Sequence, residues 1–176
     1  MTAPDRLRRA SQLALAALLA CAGGAVILPL LLILGRLGAR IAAGQAGSPF
    51  EAAVDAIPAL AVTVVAAGLA IGPAVSTAWL PAFASGALLT WLGRNRAWAR
   101  RRLAWSAAGA GIGLICFVRI SPAGRSADSL LDLYGLPGWA LLVAFLLAGA
   151  AAGQVYRSAL AATAPFFGLD EESGDP

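Results

Sequence analysis

The stretch that decides the fold is residues 10–35, ASQLALAALLACAGGAVILPLLLILG. It contains no charged side chain, and as a helix its 26 residues would be about 39 Å long at 1.5 Å per residue. The hydrocarbon core of a bilayer is about 30 Å thick and is crossed by roughly 20 apolar residues. This stretch therefore predicts a transmembrane helix, which we place near Leu13–Leu34.

Three more charge-free stretches follow along the chain, at residues 56–93, 103–118 and 133–156. The last predicts one span near Leu136–Tyr156. The stretch Leu103–Val118 is short, but Arg102 and Arg119 at its ends can extend their side chains toward the headgroups. Lipid offers no partner for backbone N–H and C=O groups, so every span must be helical. The sequence thus predicts an all-α integral membrane helix bundle.

The stretch 56–93 allows two interpretations. A single span with an interfacial segment gives four transmembrane helices in total, whereas two short spans turning at Gly72-Pro73 give five. Cytoplasmic loops carry an excess of arginine and lysine. With four spans nine arginines lie inside and four outside, and with five spans the numbers are eight and five. We favour four spans, because a five-span arrangement leaves two helices of minimal length.

The same rule predicts the domain organisation and the location. Residues 1–12 form a basic cytoplasmic N-terminus, residues 13–158 a single transmembrane domain, and residues 159–176 a cytoplasmic tail that is acidic at its end. All 13 basic residues are arginine, and alanine and glycine are abundant, which is typical of a GC-rich bacterium. We therefore expect a multi-pass protein of a bacterial inner membrane with both termini in the cytoplasm.

Composition excludes several classes of function. Hydrophobic residues make up 60% of the chain and charged residues only 12%, whereas a soluble domain carries about 25% charge. The absence of histidine excludes His-bound metals, bis-histidine haem and Ser-His or Cys-His catalysis within this chain. Cys21 and Cys116 form no CxxC pair, so we expect two free thiols that serve as small packing residues. We predict no catalytic, cofactor-binding or metal-ligating residue, no cofactor, and no enzymatic activity.

Two other patterns concern the outer surface. Ser48-Pro49-Phe50-Glu51 is a capping box with proline at the first helical position, and it predicts a helix that begins at Pro49. Two pairs of carboxylates share an i, i+4 spacing, namely Glu51 with Asp55 and Asp128 with Asp132. Such pairs can bind a cation, but on an exposed surface they are more often solvated or paired with arginine.

Small residues spaced four apart predict close helix packing. GxxxG motifs occur in spans two, three and four, and their helix-packing candidates are Gly68, Gly72, Gly109, Gly113, Gly149 and Gly153. Ala20 and Gly24 form the equivalent motif in span one. The lack of side chains on one helical face lets two backbones approach closely. The grooves could be used within the bundle or by another membrane protein, and we expect the groove at Gly109–Gly113 or the one at Gly149–Gly153 to receive a partner's helix.

Arginine and tryptophan alternate between spans two and three. The lipid-interface candidates are Trp91, Arg94, Trp98, Arg100, Arg101, Arg102 and Trp105. On a continuous helix the tryptophans, seven residues apart, would form one stripe with Arg94 and Arg101. Indoles and guanidinium groups suit the headgroup layer, so the segment predicts either a simple topological anchor or a site for anionic headgroups or a partner protein. We expect no nucleic acid partner.

The leading functional prediction is a non-enzymatic accessory, assembly or regulatory subunit that packs against other membrane helices, or against a second copy of itself. The alternative is a small permease or channel-like component built around a helix break at Gly72-Pro73, since broken helices coordinate solutes in transporters. No charged side chain lies well inside any predicted span. Because coupling-ion sites usually have an intramembrane carboxylate, we favour the subunit.

Overall fold

A computed structural model describes residues 3–44, 49–120 and 137–163 of the chain. These residues form four long helices, α1 (Ala3–Ala42), α2 (Pro49–Gly93), α3 (Arg102–Ile120) and α4 (Gly138–Thr163), with a single 3-10 turn at Ala97–Arg100. No strand occurs in the described ranges. The prediction of an all-α helix bundle is confirmed.

The helices run alternately up and down. The Tyr156 hydroxyl near the end of α4 donates a hydrogen bond to the carbonyl of Leu13 near the start of α1, with an O···O distance of 3.0 Å. The Tyr156 ring also stacks on Trp105 near the start of α3, at a centroid distance of 5.5 Å. We call this end of the bundle the basic end. At the opposite or far end, Phe117 of α3 meets Phe145 of α4, with ring centroids 5.8 Å apart.

Three helical stretches are long and apolar enough to cross a bilayer, namely Leu7–Ala42, Val75–Gly93 and Gly138–Ala162. Helix α3, whose 19 residues include one arginine near each end, Arg102 and Arg119, is not among them. Its length of about 28 Å still matches the hydrocarbon core. It packs along α4. The chain is therefore compatible with a multi-pass membrane protein, and the crossing by α3 stays a prediction.

Helix α2 corrects one alternative from the sequence. It is helical at every residue from Pro49 to Gly93, including Gly72 and Pro73, and its 45 residues span about 68 Å. The chain therefore does not turn back at this dipeptide, and the hairpin needed for five spans is absent from the described residues. The helix break predicted at Gly72-Pro73 is likewise wrong, because one proline removes one backbone donor while the helix continues around it.

The boundaries of the first two helices have local causes. Helix α2 begins at Pro49, as the capping box predicts. Helix α1 ends where Gly44 adopts a φ of +66°, a left-handed conformation that favours glycine. Both α1 and α4 extend beyond the predicted domain limits at residues 13 and 158, reaching Ala3 and Thr163 respectively.

The core is built from small residues and a few aromatic ones. At the basic end α1 buries Ala16, Ala17 and Ala20 against Tyr156 and Leu160. At the far end a smaller cluster contains Leu32, Leu141 and Phe145. Large apolar side chains are exposed on the outside of the bundle, as Leu80 at 65% illustrates. That pattern suits a chain whose surroundings are lipid rather than water.

Candidate helix-packing site and arginine-rich junction

The GxxxG motifs of α3 and α4 pack against each other. A Cβ built on Gly109 would overlap the carbonyl oxygen of Gly149, and one built on Gly113 would overlap the carbonyl oxygen of Phe145. The relation is reciprocal, since a Cβ on Gly153 would overlap the Trp105 carbonyl oxygen. Only glycine allows two backbones to touch in this way. These two motifs are therefore used inside the bundle, and neither groove is open to a partner's helix.

The small residues of α1 are also used inside the bundle. A Cβ on Gly24 would lie 3.5 Å from the Ala152 Cβ of α4, and one on Gly23 would lie 3.6 Å from Val155. Ala20, the other member of this motif, is buried. Helix α1 therefore lies close along α4, on a different side from α3.

The motif of α2 is different. Gly72 is exposed, and a Cβ built on it would meet nothing within 4 Å. Gly68 is helical, but its surroundings lie outside the described residues. Of the candidate glycines whose surroundings are described, Gly72 alone is not in contact with another helix.

Tyr156 is the residue that joins all four helices, and the sequence analysis did not identify it. Its hydroxyl binds α1 at Leu13, its ring stacks on Trp105 of α3, and the ring lies in the space left by the missing side chain of Gly86 in α2. Tyrosine suits this position because it has a large apolar ring and one polar atom that needs a partner. Its partners are 143 residues away for Leu13 and 51 for Trp105, so no local pattern pointed to it.

The predicted Arg/Trp stripe is wrong as a single helical face. Helix α2 ends at Gly93, and α3 begins at Arg102. Between them lie a turn and the 3-10 turn, in which Arg96 is extended with φ −133° and ψ 109°. Gly93 and Asn95 are poor helix formers, and a dense row of arginines repels itself, so a helix is disfavoured here. We call residues 94–102 the arginine-rich junction.

The seven interface candidates therefore differ in how far they are exposed. Trp91 and Trp98 are exposed, but Trp105 is only 2% exposed and belongs to the core beside Tyr156. Arg94, Arg101 and Arg102 are exposed, and Arg100 is half-buried. Trp105 is a packing residue, while the other six candidates lie at or near the surface of the basic end.

Helix α4 holds the junction in place. The Gln154 side-chain amide donates hydrogen bonds to the Arg102 carbonyl at 2.8 Å and to the Ser106 hydroxyl at 2.6 Å. The Arg157 Nε donates to the Arg100 carbonyl at 3.4 Å, and Arg157 is only 8% exposed. Ala99, within the 3-10 turn, is buried. The connection between α2 and α3 is thus attached to the bundle.

The charges of the bundle are unequally divided between its two ends. Eight arginines with described side chains lie at the basic end, namely Arg8, Arg9, Arg94, Arg96, Arg100, Arg101, Arg102 and Arg157, and three lie toward the far end, namely Arg36, Arg40 and Arg119. The helix directions bring the starts of α1 and α3 together with the ends of α2 and α4, which concentrates the positive charge.

Other candidates from the sequence fall into two groups. Both cysteines are free, as expected, and both contribute to the apolar core. The side chains of the two carboxylate pairs lie outside the described residues. In the described part of the chain, no group of three or more His, Cys, Asp or Glu side chains could hold a metal ion.

The geometry is that of a close-packed helical bundle with one open small-residue face and one arginine-rich connection. Comparisons of the chain with protein-family models, with curated proteins and with solved structures found no match.

Proposed function

We propose that the protein is a small non-enzymatic accessory, assembly or regulatory subunit of a bacterial inner-membrane complex. It crosses the membrane four times and acts by packing α2 against a helix of another membrane protein or of a second copy. Both ends of the chain lie in the cytoplasm in this proposal, because the basic end carries eight of the eleven described arginines.

The open position at Gly72 carries this proposal. The small-residue motifs of α1, α3 and α4 are filled by one another, so a Cβ on any of Gly24, Gly109 or Gly149 would meet a neighbouring helix. At Gly72 a Cβ would meet nothing within 4 Å. Helices associate in lipid through close packing at small residues, so an unfilled small residue on an exposed face favours a partner there.

Neighbouring residues extend this open face. Three further exposed residues lie along the same side of α2, namely Val65 seven residues before Gly72, Ser76 four residues after it and Leu80 eight residues after it. We call this side the Gly72 face. A helix that packs on it would lie against small residues in the middle and larger apolar residues above and below.

The observed shape of α2 does not support the alternative of a small permease. It required an interrupted helix at Gly72-Pro73 that could present backbone groups to a solute. Helix α2 is continuous there, and Gly72 lies on the outside of the bundle. No observation on the described residues favours solute transport over packing.

Site-specific crosslinking in native membranes tests the proposal. A photo-crosslinking amino acid at Leu80 on the Gly72 face should form an adduct with another membrane protein or with a second copy. The matched control places the same amino acid at Ile115, which is exposed on α3 away from that face. We expect an adduct from position 80 and much less from position 115.

A pair of glycine substitutions gives the second control. Gly72→Leu fills the open face and should abolish the adduct, whereas Gly111→Leu, at a position on α3 with nothing within 4 Å, should not. A wild-type protein that runs as a lone monomer after mild extraction and gives no adduct from position 80 would overturn the proposal.

A further inference from the structure

We propose that the arginine-rich junction binds the phosphate groups of anionic phospholipids, as a positioned site rather than a general excess of charge. This inference does not depend on a protein partner and goes beyond the proposed function. It rests on four features of the junction: four exposed arginines without a partner among the described residues, exposed apolar neighbours, attachment to α4, and a contrast with the far end.

The first feature is the availability of the arginines. The side chains of Arg94, Arg96, Arg101 and Arg102 are exposed, and their guanidinium groups form no hydrogen bond or ion pair with any described residue. A guanidinium group binds phosphate oxygens through paired N–H donors and stays charged at every physiological pH. Four such groups within nine residues therefore form a surface suited to phosphate.

The second feature is the depth of this surface. Trp91 and Trp98 are 62% and 52% exposed, and Leu103 is 80% exposed immediately after the last arginine. Indoles prefer the headgroup layer of a bilayer, and an exposed leucine prefers the acyl chains. The arginines therefore lie at the level of the lipid phosphates, which distinguishes a lipid from a soluble anion as the ligand.

The third feature is that the junction is held by contacts from α4. Gln154 binds the Arg102 carbonyl and the Ser106 hydroxyl, and Arg157 binds the Arg100 carbonyl. The bonds to the Arg100 and Arg102 carbonyls fix the backbone at the α3 end of the junction, on either side of Arg101. A fixed backbone lowers the conformational entropy that lipid binding would otherwise cost.

The fourth feature is the contrast with the far end. Arg36 and Arg40 already have interaction partners within the structure. Only Arg119 is both exposed there and without a partner among the described residues. The capacity to bind phosphate is therefore concentrated at the basic end.

Native mass spectrometry of the full-length protein in mild detergent tests this inference. Phosphatidylglycerol, which is anionic, and phosphatidylcholine, which is zwitterionic, are added separately, and bound lipid is counted. We expect a preference of at least tenfold for phosphatidylglycerol. Each arginine near an anionic surface contributes about 1 kcal/mol, or about fivefold in affinity. Replacing Arg94, Arg96 and Arg101 by Gln should thus abolish the preference.

Two further variants separate a positioned site from a general charge effect. Replacing Arg36, Arg40 and Arg119 by Gln removes the same charge from the far end and should leave the preference within about twofold of wild type. Gln154→Leu keeps every arginine but removes both hydrogen bonds of Gln154, including the one that attaches the junction at Arg102, and should lower the preference several-fold. Circular dichroism and thermal melting confirm that each variant keeps its helices.

Four outcomes would overturn the inference. The first is an equal affinity of the wild type for the two lipids. The second is a loss of preference for phosphatidylglycerol in the far-end variant as large as the loss in the junction variant. The third is an unchanged preference in a folded Gln154→Leu protein. The fourth is displacement of phosphatidylglycerol by millimolar inorganic phosphate or by a DNA oligonucleotide, since that would indicate a soluble ligand.

Discussion

Tyr156 lies where the four helices of the bundle meet. It connects α4 with α1 through a hydrogen bond, with α3 through ring stacking, and with α2 through the space beside Gly86. A hydrogen bond between membrane helices contributes about 0.6 kcal/mol on average, which is less than the packing of a large buried ring. The ring rather than the hydroxyl should therefore dominate the stability of the basic end.

Substitution of Tyr156 separates these two contributions. We expect Tyr156→Phe to lower the free energy of unfolding by about 1 kcal/mol or less, because the Leu13 carbonyl remains in a helix. Tyr156→Ala should cost about 3 kcal/mol, since it leaves a cavity between Trp105 and Gly86. Unfolding in mixed detergent micelles measures both values.

The exposed Trp139 provides the control for this experiment. Trp139→Ala removes an even larger aromatic ring from a side chain that is 70% exposed. A cost for Tyr156→Ala no larger than for Trp139→Ala would contradict the central role of Tyr156.

At the scale of elements, glycine position decides which helices can touch. Helices α3 and α4 meet at Gly109, Gly113, Gly149 and Gly153, where backbone lies directly on backbone. Gly111 is on the same helix as two of these but faces open space. A GxxxG motif therefore makes a close helix contact only where the fold places another helix against its face.

Alanine substitutions in α3 test this dependence. Gly109→Ala should destabilise the protein by about 1–3 kcal/mol, because the added methyl group forces the backbones of α3 and α4 apart. Gly111→Ala should be neutral or slightly stabilising, because alanine is the better helix former and nothing obstructs its side chain. The thermal midpoint of each variant in detergent is the measurement, and equal midpoints would contradict the close contact.

At the scale of the whole molecule, the alternation of helix direction produces the charge asymmetry. The ends of α1 and α3 and the starts of α2 and α4 are at the far end, while the arginine-rich junction is at the basic end beside the start of α1 and the end of α4. Because α1, α3, α4 and the arginine-rich junction all bring arginines to the basic end, this end becomes strongly positive. During membrane insertion, segments rich in arginine tend to stay in the cytoplasm, so this asymmetry favours one orientation.

Reporter fusions test the orientation. A fusion after Arg96 and one at the C-terminus should be active only with a reporter that works in the cytoplasm. A fusion at Gln45 should be active only with a periplasmic reporter, since α2 is one continuous helix from Pro49 to Gly93. A periplasmic signal from the first two sites would contradict the orientation, and the same side for positions 45 and 97 would contradict a single crossing by α2.

The sequence alone determined the class of the protein and the positions of its helices. Charge-free stretches such as residues 10–35 predict membrane spans because a bilayer excludes charge over a fixed thickness. The start of α2 at Pro49 is readable because capping involves residues a few positions apart. Both features depend on residues that are close together in the sequence, so the local pattern is enough to predict them.

Only the tertiary structure decided how the helices use their faces. Three small-residue motifs look alike along the chain, yet Gly113 and Gly153 are filled while Gly72 is open. The tryptophans repeat every seven residues, yet Trp105 is buried and Trp98 exposed, because the chain leaves the helix at Gly93 and returns beside α4. A face is assigned by which distant helix packs on it, and a local pattern does not contain that partner.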